Sequence, residues 1–294
     1  MVLEQVIKMY KQKLCLALCN SYGISYDEQI KLFKSAGFEG CAIDLSDRNA
    51  DAYKIAAAVK EENMMISYLH APFNKSDDMW MDGEIGDTAL AELIDNLEIC
   101  SRLEIPAMVT HTFIGFDSDN IPTKIGVERY GALAVRANEL GVKLALENTE
   151  GEEYLSALMK ELSGIPSVSF CWDTGHELCY NYGKDLLELY GDKLAVTHIN
   201  DNLGIRDFDG KITYIDDLHL LPFDGITDWN SAAERLVKCG FDGPLSFELS
   251  IKSKPGRHEN DKYAAQPVER FVAEAYIRAC RFANLVIKEK ERKR

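Results

Sequence analysis

The chain has 294 residues, of which 46% are apolar, so it has ample material for a hydrophobic core. Its 33 Lys and Arg residues against 48 Asp and Glu residues give a formal net charge of −15, which repels a phosphate backbone over most of the surface. Extended nucleic acid is therefore a disfavoured partner, and the length does not require more than one domain.

The sequence carries few signals for export. Lysines near the start precede an apolar run of only about six residues, which is shorter than the apolar segment of a signal peptide. Cys15, Cys41 and Cys171 lie inside apolar strand-like runs, so we predict that they are reduced and act as small hydrophobic residues. We expect a cytoplasmic protein with no transmembrane span and no membrane partner, and a homo-oligomer is left open.

Short runs rich in strand-forming residues recur eight times along the chain. They cover residues 14–18, 40–45, 64–70, 107–111, 144–147, 168–173, 194–199 and 244–248. Stretches with helical spacing lie between most of them, such as 26–35 and 88–103. Alternating strands and helices indicate parallel strands joined by right-handed crossovers.

Eight such units predict a closed barrel. A doubly wound open sheet would more often have five or six strands and a Gly-rich phosphate loop after the first, and no such loop follows Leu18. We therefore predict an α/β fold that is a single (β/α)₈ TIM barrel over residues 1–294, with 285–294 a basic helix end or tail.

Polar residues with metal-binding side chains follow the predicted strands. Glu147, Asp173 and Glu248 each close an apolar run, and His198 lies near the end of another. Because parallel strands gather their C-terminal ends on one face, one divalent ion would meet all four side chains. Three carboxylates and one imidazole favour Mn²⁺ or Mg²⁺, with Zn²⁺ or Co²⁺ as alternatives. Polar residues that merely cap the barrel mouth are the competing explanation.

Further histidines lie on the same predicted rim. His176 follows Asp173 by three residues, so it is a candidate ligand, substrate contact or hydrogen-bond donor to a ligand. His70 and His111 end two strands and are either ligands or interior imidazoles. Asp217 and His219 form an Asp-x-His pair, a spacing that is common among metal ligands but also frequent by chance in loops.

Other catalytic signatures are missing from the sequence. It has no Gly-x-Ser-x-Gly elbow, no Walker A loop and no His-Glu-x-x-His motif. After the eighth strand, Lys252, Lys254 and Arg257 are candidates to hold a substrate phosphate, or else belong to a solvated loop.

The motifs resemble the xylose isomerase-like barrel superfamily, specifically its sugar phosphate isomerase/epimerase and endonuclease IV branch. The resemblance covers nearly the whole chain and rests on LHAPF, VTHTF, LALENT, CWDTGH, THINDN, DLHLLPFDGITDW and SFEL. In ketose 3-epimerases of that superfamily, it implies that one metal is held by Glu147, Asp173, His198 and Glu248. The two glutamates would also move protons through an enediolate.

The resemblance also assigns substrate contacts and a rival function. It implies that His176 contacts a substrate oxygen, and we predict the same role for His70. Arg206 is the third predicted substrate contact, although it lies two residues later than the usual epimerase arginine. Endonuclease IV enzymes hold three zinc ions with nine ligands, and this chain has a match for each: His70, His111, Glu147, Asp173, His176, His198, Asp217, His219 and Glu248.

The acidic surface and the lack of basic DNA-penetrating loops weigh against the endonuclease. A non-catalytic sugar-binding barrel is disfavoured because both Glu147 and Glu248 are retained. We therefore predict a metal-dependent isomerase or epimerase of a sugar or sugar phosphate. It would bind one divalent metal ion, with up to three ions as the alternative. A phosphodiesterase of the endonuclease IV type is the alternative.

Overall fold

The computed structural model describes residues 12–116, 119, 121–205 and 211–293. Within these residues, eight strands occur where the sequence predicted them, to within one residue at each end. They are β1 (Leu14–Ala17), β2 (Gly40–Asp44), β3 (Met65–His70), β4 (Ala107–His111), β5 (Lys143–Glu147), β6 (Val168–Asp173), β7 (Leu194–His198) and β8 (Leu245–Phe247).

The strands form a nearly closed parallel barrel. Neighbours pair in chain order from β1 to β7, and β1 also pairs with β8. A parallel bridge between Ile199 and Phe247 joins the remaining seam, and the Ile199 N–H donates to the Ser246 carbonyl at 2.8 Å. The predicted (β/α)₈ barrel is confirmed, and all strand C-termini therefore face one rim.

Helices separate the strands along the chain. Among the described residues they are α1 (Tyr26–Ala36), α2 (Ala52–Glu61), α3 (Glu84–Arg102), α4 (Lys124–Leu140), α5 (Glu152–Glu161), α6 (Thr174–Cys179), α7 (Leu186–Tyr190), α8 (Trp229–Lys238), α9 (Asp261–Ala264) and α10 (Val268–Arg292). None of those described is long and apolar enough to cross a membrane.

Local sequence explains where the two predicted helices begin and end. Ser25 and Glu28 form a reciprocal capping box at the start of α1, and Gly37 ends that helix with a φ of 115°. The helix α3 begins at Glu84, four residues before the predicted start. Its first turn contains Gly86, a residue of low helix propensity, so the helical pattern of the sequence did not extend to the true start of the helix.

The core has two layers. The larger one lies between strands and helices and includes Leu16, Phe170 and Phe247, all fully buried. The smaller one fills the barrel interior with mostly small side chains, namely Ala17, Ala42, Tyr68, Ala107, Val109, Ala145, Cys171 and Val196. Cys171 is buried and forms no disulfide, which agrees with its predicted role as a small hydrophobic residue.

Buried Asp201 fixes the long segment between β7 and α8. Its carboxylate accepts hydrogen bonds from the N–H groups of Asn202, Phe223 and Thr227, from the Thr227 hydroxyl, and from Trp229 Nε1. One fully buried side chain thereby satisfies five donors from a loop over the rim. The Asp201 backbone also forms an antiparallel bridge with Leu220, the residue after His219, so the later part of the loop is held next to the end of β7.

Candidate metal centre

Strand pairing brings the predicted metal-binding residues together. Glu147, Asp173 and His198 are the last residues of β5, β6 and β7, and Asp173 is directly in register with His198. Glu248 follows β8, and its backbone N–H donates to the Ile199 carbonyl across the barrel seam. Barrel closure therefore places β8 beside β7 and Glu248 beside His198.

His198 lies at the middle of the four-residue set Glu147, Asp173, His198 and Glu248. Its Nδ1 is 2.8 Å from Glu248 Oε2, 3.0 Å from Glu147 Oε1 and 3.9 Å from Asp173 Oδ2. One ligand atom from each residue lies within 4.8 Å of all the others. The four side chains predicted to share an ion are thus close enough to do so.

The spacing of these atoms fits a divalent cation. Two ligand atoms, each about 2.1 Å from one ion and at a tetrahedral angle, lie about 3.4 Å apart. The contacts of His198 with its three carboxylates bracket that separation. A buried imidazole beside three carboxylates also has the chemistry of a transition-metal or Mg²⁺ site, because the negative charge needs a buried counterion.

A second set of candidate ligands lies around the other carboxylate oxygen of Glu147, Oε2. Glu147 Oε2 lies 3.2 Å from His70 Nε2 and 3.4 Å from His111 Nε2. The His70 and His111 rings meet edge to face, with centroids 5.2 Å apart, and Phe73 stacks on His111. Glu147 therefore faces two groups of ligand atoms, one on each carboxylate oxygen.

The third set consists of His176, Asp217 and His219. Asp217 Oδ1 is 3.5 Å from His176 Nε2, and Asp217 Oδ2 is 2.7 Å from His219 Nε2. His176 also lies 3.3 Å from Glu147 through its Nδ1. All nine residues that the sequence matched to three zinc sites thus fall into three adjoining sets.

The charges in this centre depend on one another. Burial opposes ionisation of Glu147, yet the charge of His198 and hydrogen bonds from His176 and His198 hold the pKa of its carboxyl well below its usual range. Burial likewise opposes ionisation of Glu248, but His198 brings its pKa to about 2. Burial lowers the pKa of His111 to about 3, so that imidazole is neutral at physiological pH and able to bind a metal.

His176 behaves differently from His111. Burial disfavours its charged form, but Asp173 and Asp217 raise the pKa of His176 well above its usual range. The raised pKa favours the protonated form of this imidazole beside the two carboxylates. A cation bound in the third set would displace that proton.

Two asparagines that the sequence analysis did not single out orient Asp173. Asn200 Nδ2 donates to Asp173 Oδ2 at 2.9 Å, and the Asp173 N–H donates to Asn148 Oδ1 at 2.8 Å. A Cβ on Gly175 would come within 2.0 Å of the Asn200 amide oxygen, so that position requires glycine. The available signal for these two asparagines was their position one residue after Glu147 and two residues after His198, both candidate ligands.

A small pocket of about 200 Å³ opens beside the centre. Its polar lining includes Asp44, His70, His219, Glu248 and Lys254. Apolar wall residues come from β1 and β2 and from the segment after β8, and they include Ala17, Leu18, Ala42, Ile43 and Leu249. Tyr68 lies at this wall and packs on the His198 ring, with centroids 4.8 Å apart.

The three candidate phosphate-binding residues have different surroundings. Lys254 lines the pocket, but its Nζ lies 3.4 Å from Asp217 Oδ2. Lys252 is exposed and does not contribute to the pocket lining. Arg257 is buried against Glu259, with Nε and Oε1 2.7 Å apart. Arg206, a predicted substrate contact, lies outside the described residues.

The chain belongs to the xylose isomerase-like TIM barrel family, whose model matches residues 30–272. The fold is similar to that of a zinc-containing IolI protein, with a TM-score of 0.71 and 19% identity, over 94% of this chain and 99% of that one. It is also similar to the D-psicose 3-epimerase of Clostridium cellulolyticum H10, with a TM-score of 0.65 and 16% identity, over 93% and 99% of the two chains.

Two curated relatives match part of the chain. The y4fM protein of Sinorhizobium fredii is 29% identical over 205 residues, which are 64% of this chain and 63% of that protein. A probable endonuclease 4 of Methanoculleus marisnigri is 28% identical over 187 residues, or 55% of this chain and 64% of that protein. The matches therefore span less than two thirds of either relative.

Proposed function

We propose that the chain is a divalent-metal-dependent isomerase or epimerase of a sugar or sugar phosphate that acts by enediolate proton transfer. The observation that carries this proposal is that the pocket opens on the Glu248 carboxylate of the four-residue set. At about 200 Å³ it is smaller than the roughly 300–1,000 Å³ pockets that hold drug-sized ligands, so it suits a small molecule.

Glu147, Asp173, His198 and Glu248 would hold the metal in this proposal. When bound, the metal supplies a positive charge that polarises the carbonyl and hydroxyl oxygens of the substrate. The side chain of Glu248 is 30% exposed and faces the pocket, whereas that of Glu147 is 1% exposed. Glu248 is therefore the carboxylate nearest to a substrate in the pocket.

The two glutamates would divide the proton transfers. Glu248, ionised at neutral pH because its pKa is about 2, removes the proton from the carbon beside the carbonyl. Glu147 acts as the second proton carrier. His70 lines the pocket and would contact substrate oxygen, while buried His176 is in contact with Glu147 and would orient that carboxylate.

Solvent isotope exchange tests this function. The protein, loaded with Mn²⁺ or Co²⁺ in D₂O, should introduce deuterium into a ketose or ketose phosphate at the carbon beside the carbonyl. Proton exchange at that carbon is the signature of an enediolate path. A panel of ketoses and ketose phosphates that remains free of deuterium would rule the proposal out.

A metal-dependent phosphodiesterase is the second candidate. It is favoured by the three adjoining ligand sets, which use all nine matched residues, and by the partial match to a probable endonuclease 4. The net charge of −15 argues against it, because an enzyme for duplex DNA needs basic residues to neutralise several phosphates.

Two measurements separate the candidates. Elemental analysis of protein purified without chelators should find one tightly bound ion for the isomerase and three for the phosphodiesterase. A duplex with one abasic site should stay intact at low salt, where repulsion from the acidic surface is least screened. Efficient incision without isotope exchange in any ketose would favour the phosphodiesterase.

A further inference from the structure

The basic groups that line the pocket already face carboxylates. Lys254 Nζ and His219 Nε2 lie 3.4 Å and 2.7 Å from the same atom, Asp217 Oδ2. His70 Nε2 lies 3.2 Å from Glu147 Oε2. Each basic side chain that the structure describes in the lining therefore already lies within 4.0 Å of a carboxylate.

Asp44 also lines this pocket, and its carboxylate has no lysine or arginine partner among the described residues. It ends β2, and its two oxygens accept hydrogen bonds from the Ser46 N–H at 2.8 Å and the Ser46 hydroxyl at 2.7 Å. Among the residues that the structure describes, the basic atom that pairs with Asp44 is His70 Nδ1, at 4.0 Å, and this nitrogen is hydrogen-bonded to the Ala71 carbonyl at 2.8 Å. The Asp44 side chain is 38% exposed, so it keeps acceptor capacity for a ligand.

Asp44 and Glu248 lie on either side of β1, because β1 pairs with both β2 and β8. A substrate that fills the pocket and contacts Glu248 therefore also lies close to Asp44. A phosphate on that substrate would meet a carboxylate that no ammonium or guanidinium group of the described residues pairs with, whereas hydroxyl groups would find an acceptor.

We infer that the pocket selects an uncharged, polyhydroxylated substrate over a phosphorylated one, and that Asp44 is the specificity-determining residue that accepts hydrogen bonds from substrate hydroxyl groups. This inference rests on the proposed isomerase or epimerase function and narrows its substrate class. The apolar wall formed by Ala17, Ala42 and Ile43 would pack against the C–H groups of the same substrate.

A pair of substrates that differ only in the phosphate tests the inference. Binding of D-fructose and D-fructose 6-phosphate to the metal-loaded protein is measured by calorimetry, and isotope exchange in D₂O is followed with both. We expect D-fructose to bind at least about tenfold more tightly, since a missing or mismatched charged hydrogen bond typically has this effect.

Variants at Asp44 test the residue itself. Asp44→Asn and Asp44→Ala should weaken D-fructose binding, and raise KM, by about tenfold or more, with kcat changed little, because the contact is made equally in ground and transition states. The preference for D-fructose over D-fructose 6-phosphate should be smaller in both variants than in the wild type. Asp95→Asn makes the same chemical change on the exposed face of α3 and should leave all values unchanged.

The outcomes distinguish this inference from the function on which it rests. Exchange with both sugars but equal or tighter binding of the phosphate would overturn the substrate class and keep the enzyme assignment. Binding of D-fructose that depends on Asp44, without exchange, would support the pocket assignment and defeat the proposed reaction. Binding of neither sugar, or a wild-type affinity in Asp44→Ala, would overturn the inference.

Discussion

Nδ1 of His198 lies 2.8 Å from Oε2 of Glu248, although the two residues come from strands on opposite sides of the barrel seam. The same nitrogen is 3.0 Å from Glu147. One imidazole therefore lies between both glutamates of the proposed proton transfer. Any change at His198 will affect the two carboxylates together, which makes this residue the most informative position for mutagenesis.

Glu147→Gln and Glu248→Gln should each reduce isotope exchange by at least about 100-fold, because an amide cannot accept the proton and binds metal poorly. Circular dichroism should show an intact barrel in both variants. Glu61→Gln, on an exposed position at the end of α2, is the matched control and should exchange normally. Full turnover in both site variants would contradict the assigned roles.

His198→Ala should lower metal affinity by at least about tenfold, the scale associated with disturbing even the residues that orient metal ligands. Competition with a chelator, followed through the Co²⁺ absorption spectrum, measures this affinity independently of turnover. His258→Ala removes an exposed histidine outside the three ligand sets and should bind Co²⁺ like the wild type. An unchanged cobalt affinity in His198→Ala would remove this residue from the metal centre.

Asp201→Asn should lower the free energy of unfolding by about 2 kcal/mol, because the amide leaves buried donors of the loop without an acceptor. Urea denaturation measures the loss, and limited proteolysis should show cleavage between β7 and α8 before the barrel is cut. Asp95→Asn serves again as the control for loss of a surface charge. Equal stability of Asp201→Asn and wild type would mean that the loop is anchored elsewhere.

Asp224 provides a pH-dependent contribution to stability. Burial opposes its ionisation, but Tyr263, Lys262 and Arg278 together lower the pKa of its carboxyl, and the two basic groups lie 2.9 Å and 3.2 Å from it. Because the folded-state pKa is lowered, the contribution is present above the unfolded pKa of about 3.9 and is lost as the pH falls through the folded value.

We therefore expect Asp224→Asn to be less stable than wild type by about 1 kcal/mol at pH 7, a value reduced for solvent screening of this half-buried network. The difference should shrink as the pH is lowered from 5 toward 3, which urea titrations at several pH values would measure. A difference that grows on acidification would reverse the sign of the linkage and contradict this account.

The sequence predicted the strands well because a strand buried on both sides is nearly continuously apolar, and the run ends where the chain reaches water. The alternation of such apolar runs with segments of helical spacing was enough to predict the barrel. The same reasoning identified Glu147, Asp173, His198 and Glu248, since each ends or follows a run. The start of α3 was less visible, because Gly86 interrupts the helical pattern.

Strand periodicity and the identity of the strand-end residues are local properties, so the sequence by itself predicted the barrel and the candidate ligands Glu147, Asp173, His198 and Glu248. The full set of nine candidate ligands came from the resemblance to endonuclease IV enzymes. Only the tertiary structure decided how those nine divide into three sets around Glu147, because that division depends on distances across the barrel mouth. It also decided that Asp44 faces the pocket and that Arg257 does not. Which side chains share a cavity depends on how distant segments fold over the rim, and no local pattern records it.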